Sequence, residues 1–417
     1  MELKQDLFII PVIENEYIIY SPLRRCAFSA NTKAVDIIKK YLSGCDLSDT
    51  EKETKVWDYL LKLINKKSSI PTDGNINFSS EAVIILSQMC NLSCSYCYAR
   101  ESRTNVILDK EKLQYIIDNI LSNSISQNFK FSFLGGGEPT ITWDLLEWTI
   151  NYINIIKNNS QNVSISITTN ATALSDEKID FLCKNNVSLL ISYDILPHIQ
   201  NTQRKHSDPN INSFDLVDIA IKKLTLKNVR YRFRTTITNN CVNLMPEMVQ
   251  FTLQNYKNIK RLHFEAVMDA ENDFSFYNMF LTNFFLARKI GQENGVDVQN
   301  SISNSFKRVR NRFCNGEYCI TPTGNLIYCH RVSSENEKSF ELFNYGNLSY
   351  GINEDKLKKV LEFANSKMQE CEKCFAKWHC AGGCTAERSY LTEQQQFYKC
   401  DFTKKIILEL LKEKVFK

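Results

Sequence analysis

Three cysteines in the first quarter of the chain have a spacing that could hold an inorganic cofactor. They stand in Cys90-Asn-Leu-Ser-Cys94-Ser-Tyr-Cys97, directly after an apolar run that predicts a strand over 82–88. Three buried thiols in a loop are the plain alternative, and a zinc site would need a fourth ligand, which no nearby position supplies. Three thiolates on an iron–sulfur cubane would leave one iron open for another molecule, whereas closed clusters take four. The spacing therefore favours a catalytic cluster.

The stretch CNLSCSYC resembles the signature of the radical S-adenosylmethionine (SAM) enzymes, with Tyr96 in the aromatic position. The resemblance implies that Cys90, Cys94 and Cys97 hold a [4Fe–4S] cluster whose open iron chelates SAM. It also implies reductive cleavage of SAM, which releases a 5′-deoxyadenosyl radical that abstracts hydrogen from the substrate.

Two further segments resemble the same family at the ends of predicted strands. Gly136-Gly137-Glu138-Pro139 follows the second strand, where the glycines permit close backbone approach and Glu138 would pair with the ammonium group of SAM. Thr169-Asn170-Ala171-Thr172 follows the third strand, with Ala171 where the family has Gly.

A third segment, Ile191-Ser192-Tyr193-Asp194 with Arg204 ten residues beyond Asp194, resembles the family's next strand end. Ile195-Leu196 replaces the usual Gly-Pro there. By this resemblance Ser192 and Arg204 would contact the carboxylate and ribose region of SAM. Met268 matches an adenine contact more loosely, and ordinary barrel core is an equal alternative for it. The implied SAM contacts are Tyr96, Gly136, Gly137, Glu138, Thr169, Asn170, Ser192, Arg204 and Met268.

Eight cysteines between positions 314 and 400 form a second pattern, which resembles the SPASM extension of this superfamily. By position, the resemblance assigns auxiliary cluster I to Cys314, Cys319, Cys329 and Cys384. It assigns auxiliary cluster II to Cys371, Cys374, Cys380 and Cys400. The whole chain would then carry three [4Fe–4S] clusters, although eight cysteines also divide into two zinc sites. The interleaved ligands would staple a segment, 310–417, that has little core of its own.

His330 follows Cys329 directly, at a position where the similar anaerobic sulfatase maturases have an acidic residue that serves as the base. An imidazole could take a proton there, because its unperturbed pKa is about 6.5. A structural role beside a cluster is the alternative for His330.

The middle region, 80–300, alternates strand-like runs with helical patterns, and this predicts an α/β fold. Helical stripes such as Leu113, Ile116, Ile117 and Ile120 separate the strands. Six such units imply a parallel sheet with right-handed crossovers, which fits a partial (β/α)6 barrel with its chemistry at the carboxyl ends of the strands. The segment 296–306 is predicted to be a loop. The predicted strands are 82–88, 129–134, 163–169, 187–193, 229–237 and 260–267.

Residues 1–75 read as a separate winged-helix-like module of strands at 7–12 and 16–20 and helices at 31–42 and 51–65. The segment resembles the peptide-recognition elements of enzymes that modify ribosomally made peptides. Such modules bind a leader peptide as an added strand at a sheet edge. The basic residues expected to steer an acidic leader are Arg24, Arg25, Lys33, Lys39 and Lys40.

Composition narrows the remaining function classes. The 417 residues carry a net charge of +4, too small a surplus to indicate a nucleic-acid partner. No apolar run reaches the length of a membrane span, and the first twenty residues lack a signal-peptide pattern. We therefore expect a cytoplasmic protein, in which 15 cysteines indicate metal or redox ligation rather than disulfides. Cys26, Cys45, Cys183 and Cys241 receive no role.

Taken together, these patterns predict a radical SAM maturase that cross-links a ribosomal precursor peptide oxidatively, most plausibly through a thioether from a peptide Cys. An electron donor such as flavodoxin or ferredoxin would serve it. Two alternatives stay open at this stage. One is oxidation of a protein Cys or Ser, as in the sulfatase maturases. The other is a non-catalytic iron–sulfur or zinc protein that tethers peptides.

Overall fold

The computed structural model describes residues 3–72, 74–100, 103–122, 126–268 and 272–416. Within these ranges the strands are β1 (Phe8–Ile13), β2 (Glu16–Ser21), β3 (Cys26–Ala30), β4 (Glu81–Ile84), β5 (Leu92–Cys94), β6 (Asn128–Phe133), β7 (Asn162–Thr169), β8 (Ser188–Ser192), β9 (Arg204–His206), β10 (Tyr231–Ile237), β11 (Arg261–Ala266), β12 (Asp297–Gln299), β13 (Cys319–Ile320), β14 (Asn325–Ile327), β15 (Asn344–Asn347) and β16 (Gly351–Ile352).

The α-helices of the same ranges are α1 (Thr32–Leu42), α2 (Asp49–Lys52), α3 (Lys55–Asn65), α4 (Lys110–Leu121), α5 (Trp143–Ile156), α6 (Asp176–Lys184), α7 (Pro197–Gln203), α8 (Ser213–Leu226), α9 (Met245–Asn255), α10 (Phe274–Glu293), α11 (Ser301–Phe306), α12 (Phe340–Phe343), α13 (Glu354–Asn365), α14 (Lys377–Cys380), α15 (Thr385–Arg388) and α16 (Glu393–Phe416). None of the described helices is long and apolar enough to cross a bilayer.

A large sheet forms the centre of the molecule, and its strands run in the order β12-β11-β10-β8-β7-β6-β4. Each neighbouring pair in this series is parallel. Helices α4, α5, α6, α8, α9 and α10 follow the six long strands in turn, as the alternating pattern predicted. The parallel α/β architecture expected from the sequence is confirmed.

The two faces of this sheet differ in character. Phe131, Phe133, Ile167, Ile191 and Phe233 lie on the face that packs against the helices, and all are fully buried. Because successive side chains of a strand point to opposite faces, the residues between them form the other face. That second surface, which we name the lumen face, is polar and lines a cavity. Its residues include Ser132, Ser166, Thr168, Ser192, Arg232, Arg234 and Glu265.

The prediction of a loop over 296–306 is wrong. Asp297–Gln299 forms β12, which pairs in parallel with β11, and Ser301–Phe306 forms α11. Asn300 starts this helix with a capping box, since its side chain accepts from Ser303 N and the Ser303 hydroxyl accepts from Asn300 N. A Ser- and Asn-rich composition here marks a capped helix rather than a linker.

The C-terminal segment also has more core than predicted. Strands β13 to β16 extend the large sheet beyond β4. The long helix α16 packs against α10, where the Phe402 ring lies 4.6 Å from that of Tyr277 and 5.2 Å from that of Phe280. Ile406, Ile407, Leu410 and Leu411 are buried on the same helix. Apolar packing therefore supports this segment independently of any metal.

The N-terminal segment folds as an antiparallel sheet, β1-β2-β3, followed by α1, α2 and α3. Its two sheet faces serve different contacts. Ile19 joins a small core with residues of α1 and α3, such as Ile38 and Leu60. Ile18 and Tyr20, on the opposite face, belong to the core of the main body. The Tyr20 hydroxyl also hydrogen-bonds the His379 ring, so this sheet is anchored to the C-terminal segment.

Arg24 does not act as an exposed steering residue, contrary to the prediction. Its side chain is 5% exposed and forms an ion pair with Asp6 at 3.2 Å. Its Nε donates to the Leu63 carbonyl of α3 at 3.0 Å. Lys40 is engaged as well, by Glu51 at 2.8 Å. Arg24, in the turn between β2 and β3, therefore joins the segment before β1 to α3 within the module.

Replacing Arg24 by Ala is expected to destabilise the protein by about 3–5 kcal/mol, because the fully buried Asp6 carboxylate loses its counter-charge. Urea denaturation followed by far-UV circular dichroism measures this loss. Arg25→Ala is the matched control, since Arg25 is exposed and its removal should change stability by less than about 0.5 kcal/mol. Equal midpoints for the two variants would contradict the structural role of Arg24.

Candidate active site

A cavity of about 640 Å³ opens where the central parallel strands end. It is lined by Cys90, Cys94 and Cys97, and by His330 from the C-terminal segment. The structure therefore brings together residues that lie more than two hundred positions apart in the sequence. All the other residues predicted to contact SAM line the same cavity: Tyr96, Gly136, Gly137, Glu138, Thr169, Asn170, Ser192, Arg204 and Met268.

The cysteine loop is held in place by a two-stranded antiparallel ribbon of β5 and β9. In this ribbon Cys94 lies opposite Arg204, and the Arg204 Nη1 is 3.9 Å from the Cys94 sulfur. Arg103 approaches from the other side, where its Nη2 donates to the Cys97 sulfur at 3.1 Å. Two guanidinium groups thus face the three thiols, and they favour the thiolate form that a metal requires.

Burial and spacing of the three thiols suit a polynuclear cluster better than a single ion. Burial raises the pKa of Cys94 to about 11, and the charges of Cys97 and Cys90 add to the rise. Thiolates on one zinc ion lie about 3.8 Å apart, given a Zn–S bond of about 2.3 Å. Among the described residues, no three cysteine sulfurs lie within 4.8 Å of one another. The donor set fits a larger iron–sulfur cluster.

Gly136 and Gly137 follow β6 and allow the chain to pass close to the backbone of the cysteine loop. A Cβ on Gly137 would lie 1.8 Å from the Met89 carbonyl oxygen, and Gly136 has a φ of +63°. The Glu138 N–H donates to the same Met89 oxygen at 2.8 Å. Only glycine tolerates this approach, so the two positions shape the cavity wall.

The Glu138 carboxylate is buried and accepts four hydrogen bonds. Its Oε1 accepts from the Thr140 N–H at 3.0 Å, and from the hydroxyls of Thr140 and Thr169, both at 2.6 Å. Its Oε2 accepts from the Asn170 N–H at 2.6 Å. Burial nevertheless raises the pKa of Glu138. Glu138 therefore ties the ends of β6 and β7 together, beyond any contact it makes with a ligand.

Asp194 is a buried carboxylate that joins four parts of the site. Its Oδ2 accepts from the Tyr96 hydroxyl at 2.7 Å and from Gln203 at 3.0 Å, and it lies 3.2 Å from the Arg204 Nε. Its Oδ1 accepts from the Thr236 N–H of β10 at 3.2 Å. The Arg204 guanidinium also stacks over the Tyr96 ring at 5.2 Å. Asp194 thereby fixes both Tyr96 and Arg204.

Two residues occupy backbone conformations that normally belong to glycine. Ala171 has a φ of +61°, and Ile195 has a φ of +64°. Positive φ is costly for a β-branched residue, by about 1–3 kcal/mol. Ala171 and Ile195 therefore hold turn conformations in which glycine would be unstrained, and both side chains are fully buried.

Four C-terminal cysteines, Cys371, Cys374, Cys380 and Cys400, come together between α14 and α16. Burial raises the pKa of Cys380 to about 12, and the charges of Cys400, Cys374 and Cys371 contribute. Burial likewise raises the pKa of Cys400 to about 11, with contributions from Cys371 and Cys374. These four are the predicted ligands of auxiliary cluster II.

The other four cysteines form a connected series through space. Burial raises the pKa of Cys319, with contributions from Glu317 and Cys329. Burial also raises the pKa of Cys329, with Glu317 and Cys384 contributing. Cys384 in turn interacts with Cys314. Cys314, Cys319, Cys329 and Cys384 are the predicted ligands of auxiliary cluster I, and Cys384 also lines a second cavity together with Cys371, Cys380 and Cys400.

His330 reaches the cavity with a carboxylate behind it. Its Nδ1 lies 2.8 Å from the Glu317 Oε1, and its backbone N–H donates to the Glu317 Oε2 at 2.7 Å. The Cys329 sulfur is within 4.8 Å of both partners' ligand atoms. Glu317 therefore orients the imidazole, so that the Nε2 edge remains for the cavity.

Met268 is partly exposed and lines the cavity, where the Arg331 guanidinium contacts its sulfur. This position differs from ordinary sheet core. Sequence reasoning gave no role to Arg103, Asp194 or Glu317. Their partners Cys97, Arg204 and His330 lie within 13 residues of them, but the spacing alone does not show that the side chains meet. Sequence reasoning also missed the arginines of β10, although the alternation Val229-Arg230-Tyr231-Arg232-Phe233-Arg234 was a usable signal.

The comparisons agree with this geometry. Residues 84–239 match the model of the Radical SAM superfamily. The match supports a radical SAM domain over these residues, and that family implies a [4Fe–4S] cluster, SAM as a cofactor and an enzymatic role. The cysteine-type anaerobic sulfatase-maturating enzyme of Clostridium novyi is 24% identical over 335 residues, which are 72% of this chain and 85% of that protein.

Two solved structures are similar in fold. The enzyme anSMEcpe with bound AdoMet and a Kp18Cys peptide has a TM-score of 0.66 at 18% identity, over 80% of this chain and 99% of its own. Streptococcus suis SuiB bound to the precursor peptide SuiA has a TM-score of 0.54 at 14% identity, over 94% of this chain and 97% of its own. At these identities the likeness establishes the fold alone.

Replacing Glu138 by Gln is expected to weaken SAM binding about tenfold or more. The NH₂ group of Gln would face the hydroxyl and N–H donors that the carboxylate accepts from, so the ends of β6 and β7 would separate. Equilibrium dialysis of SAM against the anaerobically reconstituted protein measures the affinity. Glu147→Gln is the control, because Glu147 bonds only to Trp143 on α5 and lies outside the cavity. Unchanged SAM affinity in Glu138→Gln would refute the positioning role.

Proposed function

We propose that this protein is a radical SAM peptide maturase that oxidatively cross-links a ribosomally made precursor peptide, most plausibly through a thioether. It would hold one catalytic [4Fe–4S] cluster on Cys90, Cys94 and Cys97, and two auxiliary clusters on the C-terminal cysteines. The proposed domains are a peptide-recognition module over 1–75, a radical SAM domain over 80–300 and a SPASM domain over 310–417.

The observation that supports the proposal is that the members of each predicted set of C-terminal cysteines interact through space. Cys380 and Cys400 interact with Cys371 and Cys374, and Cys329 and Cys384 connect Cys319 with Cys314. Each set has the four cysteines that fully ligate a [4Fe–4S] cluster. A fully ligated cluster has no open iron for a substrate, so it suits electron transfer rather than ligand binding. The two sets interleave along the chain, because Cys384 joins the first set although it lies between Cys380 and Cys400. Two independent zinc ribbons would not require such a crossing of ligands.

When bound, the catalytic cluster supplies the electron that cleaves SAM and generates the hydrogen-abstracting radical. Thioether formation then removes two hydrogens from the peptide, one as a hydrogen atom and one as the thiol proton, and releases one electron. Auxiliary clusters provide an acceptor for that electron, and a flavodoxin or ferredoxin would supply the electron for SAM. His330 lines the cavity and is held by Glu317 behind it, so the imidazole would hold a proton from the substrate.

The N-terminal module supports a peptide partner. Strand β3 pairs only with β2 within the described ranges, so its outer edge can accept an added strand. Beside this edge the Phe28 ring stacks on Tyr59 of α3 at 4.9 Å, and Tyr59 is 45% exposed. Arg25, Lys33 and Lys39 are exposed and would steer an acidic leader. The two similar structures bound to peptides favour the same kind of partner.

A second candidate is oxidation of a Cys or Ser in a protein substrate, as the similarity to the sulfatase-maturating enzyme suggests. The residue after Cys329 is His330 here rather than the acidic residue expected of that activity. A carboxylate is still present as Glu317, but it contacts the Nδ1 of His330. This arrangement favours the cross-linking reading.

Anaerobic reconstitution should load about twelve irons and twelve sulfides per chain, as three cubane clusters require. Cys94→Ala should retain about eight irons and form no 5′-deoxyadenosine with dithionite, because its auxiliary sites stay filled. Cys384→Ala should also fall to about eight irons, through loss of auxiliary cluster I.

Cys183→Ala is the matched control for these variants. Cys183 is exposed and belongs to none of the three proposed cluster sites. The iron content and the SAM cleavage of the Cys183→Ala variant should therefore equal those of the parent protein. About four irons together with two zinc ions would support the zinc alternative instead. Continued formation of 5′-deoxyadenosine by Cys94→Ala would exclude the proposed catalytic site.

Incubation with SAM, reductant and the short precursor peptide encoded beside this gene should lower the peptide mass by two hydrogens per linkage. The participating Cys should resist alkylation, because a thioether removes its thiol. Mass spectrometry before and after iodoacetamide treatment checks both results. The same loss with every Cys still alkylated would indicate a C–C or C–O link, and an unchanged mass would reject the cross-linking proposal.

A further inference from the structure

The lumen face of the central sheet carries an unbalanced positive charge. Among the described residues, seven Lys or Arg side chains and two Glu side chains line the cavity. A closed parallel barrel normally fills this position with branched apolar residues. Here the register across β8 and β10 places Leu190 beside Arg232 and Ser192 beside Arg234. Polar side chains on a lumen face indicate a ligand rather than a packed core.

Most of these charges already have partners. Arg204 pairs with Asp194, and Arg103 donates to Cys97. Arg331 lies 3.7 Å from Glu387, Lys130 lies 3.7 Å from Glu81, and Arg230 donates to Asn186 at 3.0 Å. By contrast, Arg232 and Arg234 form no side-chain hydrogen bond or ion pair with any described residue.

The two acidic residues of the cavity do not neutralise this pair. Glu138 is held by Thr140, Thr169 and Asn170, as described above. Glu265 hydrogen-bonds the His263 ring at 2.8 Å and also accepts from Ser301. Burial lowers the pKa of Arg234, with Glu265 opposing and Arg331 adding to the effect. Among the described residues, Arg234 is therefore a half-buried cation without a hydrogen-bonded counter-charge, and a ligand anion would stabilise it.

We propose that Arg232 and Arg234 bind a carboxylate of the peptide substrate, an Asp or Glu side chain or the peptide's C-terminus, and so place the reacting residue below SAM. The two guanidinium groups stand two residues apart on one strand face, about 6–7 Å along the strand. Arg234 lies level with Ser192 and is half-buried, and Arg232 lies level with Leu190, nearer the start of β10, and is exposed. Guanidinium groups bind carboxylates in a bidentate manner, which fixes orientation as well as charge.

This inference rests on the proposed function, since it names the class of peptide that the maturase takes. The test uses two short synthetic peptides with a blocked C-terminus, one with a Cys flanked by two Glu and one with the Cys flanked by two Gln. Isothermal titration into the reconstituted, SAM-loaded protein measures both affinities. We expect the Glu peptide to bind about tenfold more tightly, as charge-assisted hydrogen bonds provide.

Arg234→Gln and Arg232→Gln should each remove most of this preference, and Arg234→Lys should retain part of it because the charge remains. Arg261→Gln is the matched control, since Arg261 lies on the neighbouring strand β11, outside the cavity, and pairs with Asp297. Iron content and far-UV circular dichroism equal to those of the parent protein establish that each variant is folded.

Four results would overturn the inference. The first is equal affinity of the parent protein for the Glu peptide and the Gln peptide, and the second is a preference for the Glu peptide that survives in both Arg234→Gln and Arg232→Gln. The third is a preference that Arg261→Gln abolishes. The fourth is a loss of SAM affinity in Arg234→Gln large enough to explain its weaker binding of the Glu peptide. Displacement of the Glu peptide by GTP would assign the arginines to a nucleotide phosphate and overturn it as well. Formation of 5′-deoxyadenosine by the same preparations separates the two proposals. If it forms without a carboxylate preference, this inference alone fails, whereas its absence removes the proposed function first.

Discussion

One buried carboxylate, that of Asp194, determines the arrangement of the catalytic cavity. It accepts from Tyr96 in the cysteine loop and from Thr236 on β10, and it pairs with Arg204 on β9. A buried charge without partners would be strongly destabilising, so these elements must converge on it. Because β9 pairs with β5, the same contact that neutralises Asp194 also holds Cys94 against Arg204. The ion pair that compensates the charge of Asp194 therefore also positions the Cys94 thiol.

The sheet and the order of its strands could be predicted from the sequence, because apolar runs and helical stripes are local signals. The positions of the six long strands agree with prediction to within a few residues. The capped helix at 301–306 was missed, since Ser and Asn favour turns as strongly as helix starts. The partners of Arg24 were missed for a different reason. Its ion pair with Asp6 joins the segment before β1 to the turn between β2 and β3, and no local pattern in the sequence records that contact.

The site divides in the same way. Glycine and cysteine spacings identified the residues that line the cavity, because their constraints act over a few positions. The alternation of Arg230, Arg232 and Arg234 is an equally local signal. Its interpretation, however, requires knowing that this strand belongs to a parallel sheet with one face towards a cavity. A parallel sheet covered on both faces reads as continuous apolar strands, so alternation in one of them indicates a polar face. Glu317 lies just before β13 and His330 lies just after β14. The antiparallel pairing of these two strands brings the two side chains together, and this contact is visible only in the folded chain.

The three regions of the chain are joined at the thiols of the C-terminal segment. The Tyr20 hydroxyl of β2 contacts His379, whose Nδ1 lies 2.8 Å from the Arg308 carbonyl, and Cys380 is the next residue. Helix α16 bears Cys400 and packs against β2, β3 and α10. Cys380 and Cys400 therefore lie on elements that also contact the N-terminal sheet and the central domain. In the proposed function, these contacts would keep the edge of β3, the cavity and the C-terminal thiols at fixed separations, as the positioning of one bound peptide requires.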